Sequence, residues 1–203
     1  MEYIVYLLLG LTSVVGLAFV VERGIALQWR RVVPSEIEAA VHSCQTKEDV
    51  AMLRRLCEQK PSPLSRLLIE AADHLEWPKA ENEAALETRA RHEIVRLERG
   101  LVVLEIIVGI APLLGLVGTI AGMMTLFGDI GQTGLTEAGK LAGGIALILR
   151  ATLWGLLIAI PSLITWSYFS KKIEIIAVEM ETLCDQFIRR QYKEEKEVKS
   201  GTR

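Results

Sequence analysis

The sequence predicts an all-α membrane protein with three transmembrane helices, the second and third extended into the cytoplasm as long helices. Three observations predict it. Of 203 residues 51% are hydrophobic and 24% are charged, too apolar for a soluble domain and too charged for a chain wholly in lipid, so the two characters are segregated. Tyr3 to Val21 hold no charged side chain, Leu101 to Phe127 hold only Glu105, and Leu141 to Phe169 hold only Arg150. A helix needs about 20 mainly apolar residues to cross roughly 30 Å of hydrocarbon, which each stretch nearly or fully supplies. Between and beyond these stretches, apolar residues recur at helical spacing.

The predicted layout is a first span over 1–22, a cytoplasmic helical region over 23–100, a second span over 101–127, a periplasmic loop over 128–140, a third span over 141–169, and a cytoplasmic helix with a charged tail over 170–203. Orientation follows from Lys and Arg. Of the 23, none precedes the first span, thirteen lie between Glu22 and Gly100, and eight follow the third span. The positive-inside bias places the amino terminus and the 128–140 loop outside and both charged regions in the cytoplasm. "MEYIVYLLLG" lacks a basic leader and no small-x-small site follows it, so the first span is expected to stay as an anchor.

The cytoplasmic region reads as helices separated by turns. Ser35 with Glu38 and Thr46 with Asp49 have capping-box spacing, and in "SPLSRLL" Ser62 caps while Pro63 takes the first helical position. Leu64, Leu67, Leu68, Ala71, Ala72 and Leu75 then form one apolar stripe, ended by "WPK" at 77–79. Leu86, Ala90, Ile94, Leu97, Leu101 and Leu104 keep a stripe running into the second span, predicting one helix from Lys79 to Phe127, about 70 Å long at ~1.5 Å per residue. Past the third span, Ile173, Ile176, Met180, Leu183, Cys184 and Phe187 extend the helical period to about Gln191, and "KEEKEVKSGTR" is a tail without an apolar face.

Cysteine and histidine suggest no chemistry. Cys44, Cys57 and Cys184 form no CxxC pair and fall in predicted cytoplasmic segments, where thiols stay reduced. His42, His74 and His92 lack metal-ligand spacing. Paired carboxylates, a nucleophile elbow and a phosphate loop are missing, so an enzyme, a metal, a cofactor or a nucleic-acid partner is not expected.

The spans carry the informative pattern. In "APLLGLVGTIAGMM", residues 111–124, Ala111, Gly115 and Thr119 lie four apart on one stripe, and Gly118 with Gly122 forms a GxxxG beside it. Span three has a matching set in Ala151, Gly155 and Ala159. Helices in lipid gain no hydrophobic free energy by meeting, and small residues let backbones approach. These residues are therefore candidates for helix packing. Thr119 and Thr152 are the polar members. A membrane threonine ordinarily bonds back to its own backbone, yet two of them in facing small-residue stripes point to a shared polar contact.

"PLLGLVGTIAGMM" followed by "GGIALILRATLWGLLIAIP" resembles the MotA/TolQ/ExbB proton-channel family, whose spans two and three carry Pro-x-x-Gly-Leu-x-Gly-Thr and Ala/Thr-Thr-x-x-Gly-Leu-x-x-x-Ile-Pro cores. The motif-level match covers about Leu101 to Phe169, and the threonine spacing resembles the ExbB and TolQ branch. The resemblance implies a homopentameric ring in the bacterial inner membrane. Spans two and three would line a pore around single-span partners similar to ExbD or TolR that bear a membrane Asp, with force passed to a TonB- or TolA-like protein. By position, Thr119 and Thr152 would face that Asp, since a hydroxyl both donates and accepts and can serve it charged or neutral. A unit charge crossing 100 mV releases about 2.3 kcal/mol, enough for several protons to do mechanical work.

The sequence departs from this pattern where many members have "GIxEAL": Leu147 stands in the acidic slot. Arg150 lies three residues on, about 60° around the helix. An arginine in a span is expected to face protein, water or a counter-charge and stays protonated, so it is no proton relay. Straight antiparallel helices would keep Glu105 nearly 20 Å from it. Two readings of Arg150 stand: it pairs with an acid on another subunit or on the partner, or it snorkels to water. Glu105 reads as an interfacial carboxylate, with a proton-exit role as the alternative. The expected function is a proton-driven energiser subunit; a non-conducting scaffold holding a single-span partner is the alternative.

Overall fold

The computed structural model describes residues 2–133 and 138–201. It is built of eight helices among the described residues: α1 (Glu2–Ala26), α2 (Trp29–Val32), α3 (Ser35–Ser43), α4 (Lys47–Gln59), α5 (Pro63–Asp73), α6 (Lys79–Glu98), α7 (Leu101–Thr133) and α8 (Ala138–Gly201). The fold is all-α, and three helices are long and apolar enough to cross a membrane: Tyr3–Ala26, Leu101–Gly131 and Ala142–Lys193. The chain divides into an apolar unit, Met1–Gly24 with Gly100–Phe169, and a polar unit, Ile25–Arg99 with Ser170–Arg203.

The apolar unit is α1, α7 and the first part of α8. Its interior is thin: Ile107, Ala111 and Ala159 are buried together, with Val15, Val103 and Ile158 packed against them. Most of its large side chains point outward, among them Ile4, Leu113, Met124, Phe127, Leu149 and Ile164, all more than half exposed. In water this surface would be an association hazard; facing hydrocarbon it is the solvent-matched side. Pro112 and Pro161 sit inside α7 and α8, a placement tolerated where neighbouring helices and hydroxyl side chains compensate the freed backbone.

The polar unit has a conventional core. The predicted stripe of α5 is buried at Leu64, Leu67, Leu68 and Ala71, and that of α8 at Ile176, Met180, Leu183, Cys184 and Phe187, joined by Ile37, Val41, Leu53 and Leu86. Two predicted helix starts form as the sequence reads. Thr46 accepts from the Asp49 amide at 3.2 Å while Asp49 accepts from the Thr46 amide at 2.8 Å, and Ser62 accepts from the Ser65 amide at 3.1 Å.

Four expectations need correction. Ser35 does not cap: Pro34 is the N-cap without a side-chain bond, and its carbonyl accepts from the amides of Ile37 and Glu38 at 3.0 and 3.1 Å, so the turn begins one residue early. The long Lys79–Phe127 helix is two helices, broken at Arg99–Gly100. Glycine propagates a helix poorly, and the Arg23 side chain occupies the space that a Gly100 Cβ would fill. Within the expected 128–140 loop, helix continues to Thr133 and resumes at Ala138, residues 134–137 lying outside the described residues. The expected tail is helical to Gly201, because its Lys and Glu residues are good helix formers and nothing breaks them.

Candidate functional site

Helices α7 and α8 are antiparallel and touch through backbone. A Cβ added to Gly155 would lie 2.6 Å from the Ala111 carbonyl oxygen and 3.2 Å from the Gly115 Cα. One added to Gly115 would lie 2.9 Å from both the Ala151 carbonyl oxygen and the Thr152 Cα. These are main-chain atoms, which cannot swing aside. Further along the seam, Gly118 meets the Ala151 Cβ at 2.7 Å and Gly122 meets Ile148 at 2.8 Å. Gly115, Gly118 and Gly155 thus lie against Ala111, Ala151 and the Thr152 backbone, while Gly122 lies against the branched Ile148. Ala111, Ala151 and Ala159 are buried along the same contact.

Thr152 lies against Gly115 in this seam. Its hydroxyl donates across the seam to the Gly115 carbonyl at 3.3 Å, whereas Thr12, Thr119, Thr125 and Thr165 each donate to a carbonyl of their own helix. Thr119 bonds Leu116 at 2.7 Å. The two threonines thus do not bond each other, and the polar contact between the helices runs from side chain to backbone.

They nevertheless share a side. Thr119 follows Gly118 and Thr152 follows Ala151, each by one step of about 100°. On antiparallel helices such a step turns both side chains towards the same flank of the pair. Thr119 lies one turn along α7 from Gly115, about 6 Å in depth from Thr152. The opposite flank is occupied by α1: Val5 contacts Gly118, Gly16 contacts Ile107 and Ser162, and Gly24 contacts Phe169. The threonines therefore face away from α1.

Arg150 and Thr152 are about 160° apart around α8, so the arginine is on the α1 flank. It is exposed and makes no hydrogen bond or ion pair among the described residues. Glu105 lies ten residues along α7 from Gly115, about 15 Å towards the other end, and does not meet Arg150. Leu147, in the slot where an acid was sought, is 47% exposed and offers no proton-binding atom. Among the described residues no group of His, Cys, Asp and Glu is arranged to hold a metal ion.

One polar cluster escaped the sequence reading. Glu93 is completely buried and takes a two-pronged contact from Arg66, Nε to Oε1 at 2.9 Å and Nη2 to Oε2 at 2.5 Å. Arg96 adds a bond at 3.2 Å and Arg89 an ion pair at 3.8 Å. Burial alone would push the Glu93 carboxyl up, but the hydrogen bonds and charge of Arg66, with Arg96 and Arg89, outweigh it and hold the pKa below the ordinary 4.5. The available signal was an acid on the buried face of α6 with arginines three and four residues away.

The MotA/TolQ/ExbB proton channel family matches residues 59–182, more than half of the chain. The chain belongs to this family. Among its MotA/TolQ/ExbB relatives is biopolymer transport protein ExbB of Helicobacter pylori, 37% identical over 81 residues, covering 40% of this chain and 56% of the relative. ExbB-like protein 1 of Synechocystis is 32% identical over 166 residues, covering 77% and 63%. An ExbB homolog of Methanothermobacter thermautotrophicus is 31% identical over 144 residues, covering 71% and 51%. The chain thus spans between about half and two thirds of the length of these relatives. As a member of a membrane proton-channel family, it has its apolar unit in the bilayer, and the matched stretch contains the whole Gly115–Gly155 seam with both threonines.

Proposed function

We propose that this chain is the channel subunit of a proton-driven energiser. It assembles as a ring, a homopentamer, in the bacterial inner membrane with its amino terminus periplasmic and its carboxy terminus cytoplasmic. The ring encloses an ExbD- or TolR-like single-span partner with a membrane Asp, and the work is delivered to a TonB- or TolA-like protein across the envelope. The observation that carries this reading is the flank opposite α1, where Thr119 and Thr152 lie within a turn of each other on a backbone seam too tight to repack.

The chemistry follows from the hydroxyls. Each donates its proton to a carbonyl, so its lone pairs are free to accept from a protonated carboxyl on the partner. When that carboxyl ionises, a hydroxyl that rotates can donate to it instead. Neither state requires a fixed charge from the ring, which suits a site that lacks the acidic residue at 147. The proton then rests on the partner's Asp and on water, and the membrane potential contributes about 2.3 kcal/mol per charge per 100 mV.

The test is proton flux into vesicles containing the chain and its single-span partner. Flux that falls at least tenfold in Thr152→Val, and disappears when the partner's Asp becomes Asn, is the expected result. The presence of Leu147 in place of a carboxylate favours one alternative, a non-conducting scaffold. An intact complex with no flux in the wild type would establish that reading instead.

A further inference from the structure

Glu105 stands in the second span and takes no part in the α7–α8 seam. It lies within the apolar stretch Leu101–Gly131, five residues past Gly100, where the Arg23 side chain of α1 marks the polar end of the unit. That is about 7.5 Å into the apolar layer at ~1.5 Å per residue. The side chain is exposed and makes no hydrogen bond or ion pair among the described residues. An ionisable group inside a span is costly and turns towards protein or a water-filled space, so its direction decides its use.

That direction follows from the contacts of α7. Around the helix Glu105 is about 160° from Ile107 and about 140° from Gly118, the residues that meet Gly16 and Val5 of α1. It is about 40° from Thr119, and Pro112 lies between them on the same line. Glu105 therefore belongs with the threonines, on the flank opposite α1. Proline has no N–H, so Pro112 leaves the Val108 carbonyl without its helical donor. Val108 is about 60° from Glu105 and about 20° from Thr119, which puts an acceptor for water on this flank between carboxylate and hydroxyl. The neighbouring helices bring no counter-charge to this depth. Ile107 beside Gly16 and Ala111 beside Gly155 set Glu105 level with about Ala18 of α1 and Pro161 of α8, and residues 17–19 and 160–163 are uncharged. Further along α1, Glu22 and Arg23 bind each other.

Leu147 is displaced from the threonines in the opposite sense. It precedes Thr152 by about 7.5 Å towards the far end, whereas Glu105 lies about 15 Å from the Gly115–Thr152 contact towards the Arg23 end. An acid at 147 would stand on the entry side of the hydroxyls; Glu105 stands on the exit side. We propose that Glu105 is the proton-release carboxylate of the channel, a role that rests on the proton-driven reading and its orientation. The partner's carboxylic acid gives its proton to water at the threonine level, the hydrated proton passes the Val108 carbonyl, and the Glu105 carboxylate takes it up. Glu105 then gives that proton to cytoplasmic water and is ionised again, so one proton enters and one leaves.

The test is proton flux under an imposed potential in vesicles of the full chain with its single-span partner, compared at equal amounts of assembled complex. Glu105→Gln is expected to lower flux at least about tenfold, less than the full contribution of a positioned proton-transfer group because water still carries part of the current. Glu105→Asp should retain most of the flux, and Glu98→Gln, at an exposed acid of α6, should change nothing. Glu105→His restores a proton-binding atom without the negative charge. It should recover flux, with the midpoint of the pH dependence moved up towards about 6.5, the ordinary imidazole value. Wild-type flux in Glu105→Gln overturns the proposal and leaves Glu105 an interfacial carboxylate. Equal flux in Glu105→Gln and Glu105→His at every pH overturns it too, because a packing or charge effect treats the two alike. Absence of flux in the wild-type complex refutes the channel reading itself, whereas wild-type flux untouched by these changes refutes only the role of Glu105.

Discussion

Glu93 is the residue at which burial and charge are most closely opposed. Its carboxylate has no access to water, and without Arg66 it would favour the neutral form. The bidentate contact reverses that preference and holds the folded-state pKa below 4.5. Its contribution to stability is therefore present above pH 4.5 and is lost as pH falls through the lower folded value. Acid unfolding followed by circular dichroism should show this loss, and Glu93→Gln should flatten it while lowering neutral-pH stability by about 2 kcal/mol. The same balance of geometry and chemistry governs the threonines. Their type and spacing are visible in the chain, but Thr152 bonds across the seam and Thr119 bonds back only because of where α7 and α8 meet. Sequence alone could not assign those bonds, since a threonine hydroxyl reaches its own i−3 or i−4 carbonyl on any helix.

Among the helices, the α7–α8 pair is set by what its glycines exclude. At Gly155 the nearest obstacle to a side chain is the Ala111 carbonyl oxygen, so Gly155→Ala must separate the helices and should destabilise the pair by about 1–3 kcal/mol. Gly109 on α7 has open space where its Cβ would be, and Gly109→Ala should change stability by less than about 0.5 kcal/mol. Thermal unfolding of both variants in the same detergent checks the contrast. The stripes of α5 and of the distal part of α8 were legible because an amphipathic helix announces its buried face by period. The break between α6 and α7 was not, because the apolar period continues through Arg99–Gly100 and only the neighbouring Arg23 side chain shows what stands beside the glycine.

At the scale of the molecule, two units with opposite solvents share one chain. The polar unit buries Cys57 and Cys184 in its core, where burial pushes the thiols up to about 11 and about 12. At pH 8 they should resist alkylation until that unit unfolds. Labelling by iodoacetamide against denaturant should then follow the loss of helicity in a single step, and rapid labelling of the native protein would contradict the packed core. The sequence by itself determined the number of spans, the helical class and the small-residue faces, because charge segregation and helical period are properties of order along the chain, while the family resemblance rested on the motifs of spans two and three. Only the tertiary structure decided that both threonines face away from α1, that Arg150 turns to the other flank, and that a buried carboxylate holds α5 to α6. Those are matters of which helix lies against which, and a side chain's direction becomes an environment only when a second helix packs beside it.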